Sequence, residues 1–382
     1  MPSRDVTIVA HDVGPIGGME QMLSQLIWRL AERGREVTVV ARSIDLPAHP
    51  RIRQVRVPGP RRPFVIAYPW FFIAGTLATA RARRGPVNTT GAIVFNRAEV
   101  STVHFVHAAR RGRERRMRVK RFDYALAARL AAPMSRWAER AIVARAFFTR
   151  NVVTVCTSAR DELVAAYPNV EARLTVIPNA VDTDRFRPNP ATRRSVRSTR
   201  GLGEDDRVAL FVGSEWRGKG VALIVEALAL APTWRLVVVG EGDEGALVRL
   251  ARDTGVEHRV ICTGVRPDPE RFMAAADCFV HASDGETDSM TIMQAVASGL
   301  PVIATDVGAA RERIGSRGEG GLIVERSPEA IADALNALAT DPATALRMGE
   351  RNTHVAQGWS WDAVADAYDE LYDAVAHGEG GS

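Results

Sequence analysis

Apolar residues in this chain fall into two kinds of run that alternate from end to end. Short unbroken runs such as VTIVA, EVTVVA, VVTVC and CFV are dense in β-branched side chains and read as buried strands. Between them lie longer stretches with apolar residues three and four apart, the helical period. In the first half this predicts a strand over 6–10 and a helix over 19–33, with Met22, Leu23, Leu26, Ile27 and Leu30 on its apolar face. Gly34 stops that helix and a strand over 36–41 follows, completing a strand–helix–strand unit. Further strands are expected over 92–95, 102–106 and 152–157, with a helical region over 124–148 broken at Pro133. A helix over 158–167 would be capped by Ser158. The second half repeats the alternation. Strands are expected over 208–212, 236–239 and 259–263, with others ending at Val280 and starting at Val302. Helices are expected over 221–230, 290–298, 331–338, 345–355 and 359–378. The polar, turn-rich stretch 189–206 reads as a linker and surface loop.

This is the pattern of an α/β protein with two Rossmann-like domains, and 382 residues suffice for two full cores. Hydrophobic content of 46% and charged content of 25% are those of a globular chain. Cys156, Cys262 and Cys278 are far apart, without metal-ligand spacing, so a buried thiol is expected at each. The opening MPSRDVTIVAHDVG reads as a strand and not as a secretory leader, and a cytoplasmic location is expected.

Charge is concentrated in one place. The net charge is only +5, but RRGRERRMRVKR, residues 110–121, is almost wholly cationic and calls for an anionic partner. The uncharged segment 64–80 is bracketed by Arg61, Arg62, Arg81, Arg83 and Arg84. Pro69 and Gly75 interrupt it, and it falls short of the roughly 20 residues of a spanning helix, so a core or interface helix is expected. Together these two segments suggest docking on the inner face of an anionic membrane. Aromatics are not interleaved with the arginines, and no nucleic acid is expected as a partner.

The candidate chemistry gathers in HASDGETDSMTIMQAVASGLPVIATDVG, residues 281–308. A polar loop at the carboxyl end of a strand leads into a helix whose first amides can meet an anion. Ser283, Glu286, seven residues, Gln294 and then a small-residue helix into Gly299-Leu300-Pro301-Val302 resembles the donor site of family 4 glycosyltransferases. In that family the first Glu touches the donor sugar, the following loop amides hold the diphosphate, and a second Glu binds the ribose. The resemblance therefore implies the first role for Glu286, the amide role for Ser289, Met290 and Thr291, and the ribose role for Gln294. Gln294 departs from the family's Glu and loses a charge-assisted bond. Thr287, Asp288 and Ser289 replace the usual glycine-aromatic-glycine.

Other elements resemble the same family. VIPNAVDTDRFRP, residues 176–188, is similar to its domain junction, with Ala180 in a glycine's place. In GSEWRGKGV, Lys219 stands where the family has its diphosphate-binding Lys, and Arg217 supplies a guanidinium where Ser214 replaces the family Arg. Gly17 and Gly18 open a Gly-Gly-x-Glu element ending in Glu20, where ligand and backbone approach closely. STVHFVHAAR resembles the strand whose terminal His faces the reaction centre, which would be His107. GEGDEG, residues 240–245, has the literal dinucleotide glycine spacing, but Glu241, Asp243 and Glu244 would repel a pyrophosphate. That reading is rejected.

The resemblance implies the glycosyltransferase B fold: two facing Rossmann-like domains, with a terminal helix crossing back to the first. Residues 1–180 with 360–378 would form the acceptor domain and 181–359 the nucleotide-sugar domain. It implies metal-independent, retaining transfer from a nucleotide diphosphate sugar such as UDP-glucose or GDP-mannose to a hydroxyl acceptor. That acceptor would be a cell-envelope glycan, a lipid-linked acceptor or a small natural product. His107, Glu286, Arg217 and Lys219 would be its catalytic groups. Two alternatives remain at this point: a phosphorylase-like or epimerase-like enzyme on the same scaffold, and a basic nucleic-acid- or membrane-binding protein.

Overall fold

A computed structural model describes residues 4–15, 17–109 and 132–377. The chain divides into two compact units, Met1–Asn179 with Trp361–Ser382, and Ala180–Ser360. Each unit is built on one parallel sheet.

The first unit contains β1 (Asp5–Val13), β2 (Glu36–Ile44), β3 (Ile52–Arg56), β4 (Val87–Thr89), β5 (Ala98–Val103), β6 (Thr149–Thr154) and β7 (Leu174–Val176). Their order is β3-β2-β1-β4-β5-β6-β7. The second contains β8 (Arg207–Val212), β9 (Trp234–Val239), β10 (Val260–Cys262), β11 (Cys278–His281), β12 (Val302–Thr305) and β13 (Gly321–Val324), in the order β10-β9-β8-β11-β12-β13. In each sheet the chain winds outward on one side of the first strand and then restarts on its other side. Connections diverge at that switch point and open a crevice at the carboxyl ends of the strands, between β1 and β4 and between β8 and β11.

The unbroken apolar strand runs follow from this geometry. Side chains alternate across a strand, and here both faces are covered. Along β8, Val208, Leu210 and Val212 enter one core while Ala209 and Phe211 enter the other. Each large apolar side chain buried this way contributes about 1.5–3 kcal/mol over leaving it exposed.

The helix Trp361–Ala376 belongs to the first unit and packs on the helix Gly18–Glu32. Tyr368 and Tyr372, fully buried, carry hydroxyls that need partners. Tyr368 Oη lies 3.0 Å from Thr102 Oγ1, and Asn88 Nδ2 donates to Tyr372 Oη at 2.6 Å. Arg35, buried beneath them, pairs with Asp369 and with Asp373 at 2.6 Å.

Four local expectations need correction. Residues 92–95 form no strand; the strand is Val87–Thr89, and 92–95 pack as a loop on the helix Phe64–Ala82, with Phe95 against Phe72 at 4.3 Å. The strand expected over 102–106 is Ala98–Val103, so His104 and not His107 follows its end. The stretch read as a linker holds the helix Pro190–Thr199, capped by Asn189, whose side chain accepts from Thr192 N at 3.0 Å. Its inward face is mostly Val196 and the stem of Arg197, which Asp277 anchors at 2.7 Å, so it shows little hydrophobic periodicity. The helix Thr157–Ala166 is capped by Cys156 Sγ, accepting from Ala159 N at 3.4 Å, and not by Ser158.

Candidate active site

In the second unit two loops meet at the switch point. β8 ends at Val212, and the turn that follows carries the short helix Trp216–Lys219. β11 ends at His281, and its loop runs to the helix Met290–Ala297. Backbone contact joins them: Asp284 N donates to Gly218 O at 3.0 Å. Gly220 sits so close to Ala282 that a Cβ there would lie 2.2 Å from the Ala282 carbonyl oxygen. Arg326 braces both loops, donating to Ala282 O at 2.9 Å and to Gly218 O at 3.3 Å.

This contact brings Lys219 and Glu286 together. Lys219 Nζ lies 3.4 Å from Glu286 Oε1, and Nε2 of the fully buried His281 lies 3.3 Å from the same oxygen. Ser283 Oγ is 3.5 Å from it. Burial pushes the Glu286 carboxyl up, but His281 and the Lys219 ammonium more than offset this and hold it at about 2. Glu286 is thus a firm anion at any physiological pH. Arg217 lies on the same short helix and is exposed.

The helix Met290–Ala297 starts without a side-chain cap: Ser289 Oγ meets Thr291 Oγ1 at 3.1 Å instead of a helix amide. Its first amides are suited to an anion. Gln294 lies one turn in, largely buried, on the face shared with Met290.

Asp288 is turned inward. It forms a two-pronged pair with Arg313, Nε to Oδ1 at 2.9 Å and Nη2 to Oδ2 at 2.5 Å, with both side chains buried. The guanidinium also lies 5.3 Å over the ring of Trp359. Ala309 N donates to Thr287 O at 2.8 Å, and a Cβ on Gly308 would approach that oxygen to 2.2 Å. The Thr287-Asp288-Ser289 segment is therefore a loop tied to the Asp306–Ile314 region. The glycines of GEGDEG also have a packing role: Gly240 lies against the Gly213 carbonyl and Gly242 against the Trp216 ring, each leaving no room for a Cβ. The expectation of metal-independent transfer goes with an absence of Asp-x-Asp motifs, but Asp182-Thr183-Asp184 has that spacing. Asp182 Oδ1 instead caps a turn, accepting from Asp184 N at 3.2 Å and Arg185 N at 3.0 Å.

In the first unit, a cavity of about 190 Å³ at the switch point is lined by His11, Tyr68, Thr90, His104, His107 and Glu139, among others. His107 lies in the turn four residues past β5. Glu139, buried on the turn Glu139–Val143, holds that turn by accepting from His107 N and Ala108 N, both at 2.9 Å. Burial lowers His104 to about 4; burial, with help from Arg42, does the same to His11. Both rings are neutral at pH 7. Gly17, at φ 97°, begins the helix Gly18–Glu32, and the Glu20 carboxylate folds back against it. The sequence reading did not single out His11, His104, Glu139 or His281. Residues 110–121 lie outside the described residues.

Two family models match, Glycosyltransferase Family 4 over residues 16–185 and Glycosyl transferases group 1 over residues 206–341. D-inositol 3-phosphate glycosyltransferase from Xylanimonas cellulosilytica is 30% identical over 402 residues, covering 94% of this chain and 92% of that protein. The chain belongs to the family 4 glycosyltransferases. A shorter match, to D-inositol 3-phosphate glycosyltransferase from Nocardia farcinica, is 32% identical over 62% of this chain and spans about half of that relative, 54%. Among solved structures, WaaG, a glycosyltransferase involved in lipopolysaccharide biosynthesis, superposes with a TM-score of 0.81 at 22% identity, covering 96% of this chain and 99% of that one. Sucrose-phosphate synthase from Thermosynechococcus elongatus gives 0.80 at 22% identity, over 98% and 99%. These likenesses identify the fold as the glycosyltransferase B architecture.

Proposed function

We propose that this family 4 glycosyltransferase transfers a sugar from a nucleotide diphosphate sugar to a hydroxyl acceptor, with retention at the anomeric carbon. The observation that carries the reading is the Lys219–Glu286 pair at the β8/β11 switch point, beside an uncapped helix N-terminus. Charge develops on the departing diphosphate. Lys219, Arg217 and the amides of Ser289, Met290 and Thr291 meet it, preorganised by the folded loops. Glu286 accepts hydroxyls of the transferred sugar, and Gln294 meets the ribose diol. The first unit takes the acceptor, with His107 at the reacting hydroxyl and Gly17 and Gly18 allowing close approach. A relative named for phosphatidylinositol monomannoside favours a lipid-linked acceptor, and one named for D-inositol 3-phosphate favours a small polyol phosphate. Thermal shift with nucleotide sugars tests donor binding. UDP-glucose or GDP-mannose at a hundred times its Kd should stabilise the protein by about 2.7 kcal/mol. A panel of nucleotide sugars that leaves the unfolding midpoint unmoved contradicts the reading.

The same reading places the first unit on the cytoplasmic face of an anionic membrane. The helix Phe64–Ala82 is long and apolar enough to cross a bilayer, but one face, with Tyr68, Phe71 and Phe72, is buried in the core of the first unit. The opposite face exposes Ile66, Trp70, Ile73 and Leu77, spaced four, three and four residues apart. Exposed arginines stand at both ends, Arg61 and Arg62 before it and Arg81, Arg83 and Arg84 around its close, with Arg83 paired to Glu99 at 2.9 Å. A helix lying in the interface with headgroups meeting its flanks has this pattern, and each cation near an anionic surface adds about 1 kcal/mol. Co-sedimentation should be stronger with phosphatidylglycerol vesicles than with phosphatidylcholine, and should weaken with salt and with Ile66→Ser, Trp70→Ser and Ile73→Ser combined. Equal sedimentation of that variant, or no binding at low salt, sinks the proposal.

A further inference from the structure

The two oxygens of Glu286 have unequal surroundings. Lys219 Nζ, His281 Nε2 and Ser283 Oγ all lie within 3.5 Å of Oε1. Among the described residues no ion pair or hydrogen bond falls on Oε2. His281 closes β11 and is wholly buried; among the described residues neither ring nitrogen makes a hydrogen bond, and Nε2 meets Glu286 Oε1 as a close polar contact at 3.3 Å. Burying an imidazole costs free energy unless its nitrogens find polar partners, and the Glu286 carboxylate is the charged group in its reach.

The three groups on Oε1 are not equivalent once a ligand binds. Lys219 is a mobile ammonium on a flexible stem, part exposed, and an incoming diphosphate competes for it. Ser283 Oγ is also shared with the Gly285 carbonyl at 3.3 Å. His281 is fixed by burial at a strand end and has no competing ligand.

We propose that His281 is a positioning residue for the donor sugar. It keeps Oε1 turned inward when Lys219 leaves for the diphosphate, so that Oε2 stays presented to a hydroxyl of the transferred sugar. The donor class this favours is a sugar with a hydroxyl at the position facing Oε2, in preference to its deoxy analogue. The inference rests on the donor-site reading above.

A titration of UDP, GDP, UDP-glucose and GDP-mannose against wild type and three variants tests it. His281→Leu removes the contact, His281→Asn offers an amide only near the Nδ1 position, and His281→Gln reaches the Nε2 position. For the donor the wild type prefers, Leu and Asn should each weaken nucleotide-sugar binding about tenfold or more, with the sugar-free diphosphate bound within about twofold of wild type. Gln should recover most of the loss. A purely structural role would weaken both ligands alike. That result in Asn, or wild-type sugar binding in Asn, or a Gln variant no better than Asn, overturns the proposal even if Leu fails to fold. If the wild type binds none of the four, the donor reading fails and takes this inference with it. If the wild type binds and the variants match it, only the role of His281 falls.

Discussion

Glu286→Ala and Lys219→Ala are each expected to lower turnover about a hundredfold or more while leaving the second unit folded. The two side chains face each other across a pair of loops whose backbone is fixed independently. Asp284 N, Gly220 and Arg326 hold those loops without using either side chain. Loss of the Lys219–Glu286 pair itself should cost about 1 kcal/mol, and Glu286→Ala should cost more than Lys219→Ala because it also takes the carboxylate from the buried His281. The rate is a different matter. Lys219 is asked to stabilise charge that appears on the diphosphate only as the bond breaks, and Glu286 to hold the sugar that carries the reacting carbon. Steady-state kinetics beside thermal unfolding separates the two effects. A variant with near-normal kcat and KM, or one whose lost activity tracks a lost fold, contradicts the assignment.

Asp288→Ala is expected to destabilise the second unit by about 3–5 kcal/mol, because it strands the buried Arg313 guanidinium without its carboxylate. Removing both charges should be milder: Asp288→Ala with Arg313→Met leaves no uncompensated ion and should recover much of the loss. Urea unfolding followed by circular dichroism and tryptophan fluorescence measures the loss. A single variant within about 0.5 kcal/mol of wild type would mean that Arg313 finds another partner when Asp288 is gone.

The sequence revealed the fold where burial on both strand faces forces unbroken apolar runs, and it missed elements whose interior is built another way. β8, sending Leu210 and Phe211 into opposite cores, could hardly be overlooked. The helix Pro190–Thr199 was overlooked, although Asn189 before Pro190 is a start signal, because the stem of a salt-bridged arginine does much of its packing. The strand Val87–Thr89 is three residues long and leaves no periodic trace. The candidate site divides the same way. Glu286 and Lys219 stand in motifs of local spacing. Glu139 acts on the His107 turn from 32 residues away, and Asp288 meets Arg313 from 25 away, which no local pattern reveals. The departure from glycine-aromatic-glycine reads as a change in the donor loop, and the structure explains Asp288 as that loop's anchor.

Retaining glycosyl transfer by this protein is read from product analysis with one nucleotide sugar and one hydroxyl acceptor. Nucleoside diphosphate release and the anomeric configuration of the new linkage would be followed together by NMR. The expected result is release that depends on acceptor, one glycosidic bond per diphosphate, and the donor's own anomeric configuration in the product. An inverted linkage, a sugar phosphate formed from inorganic phosphate, or a nucleotide sugar epimerised with no acceptor present would contradict it.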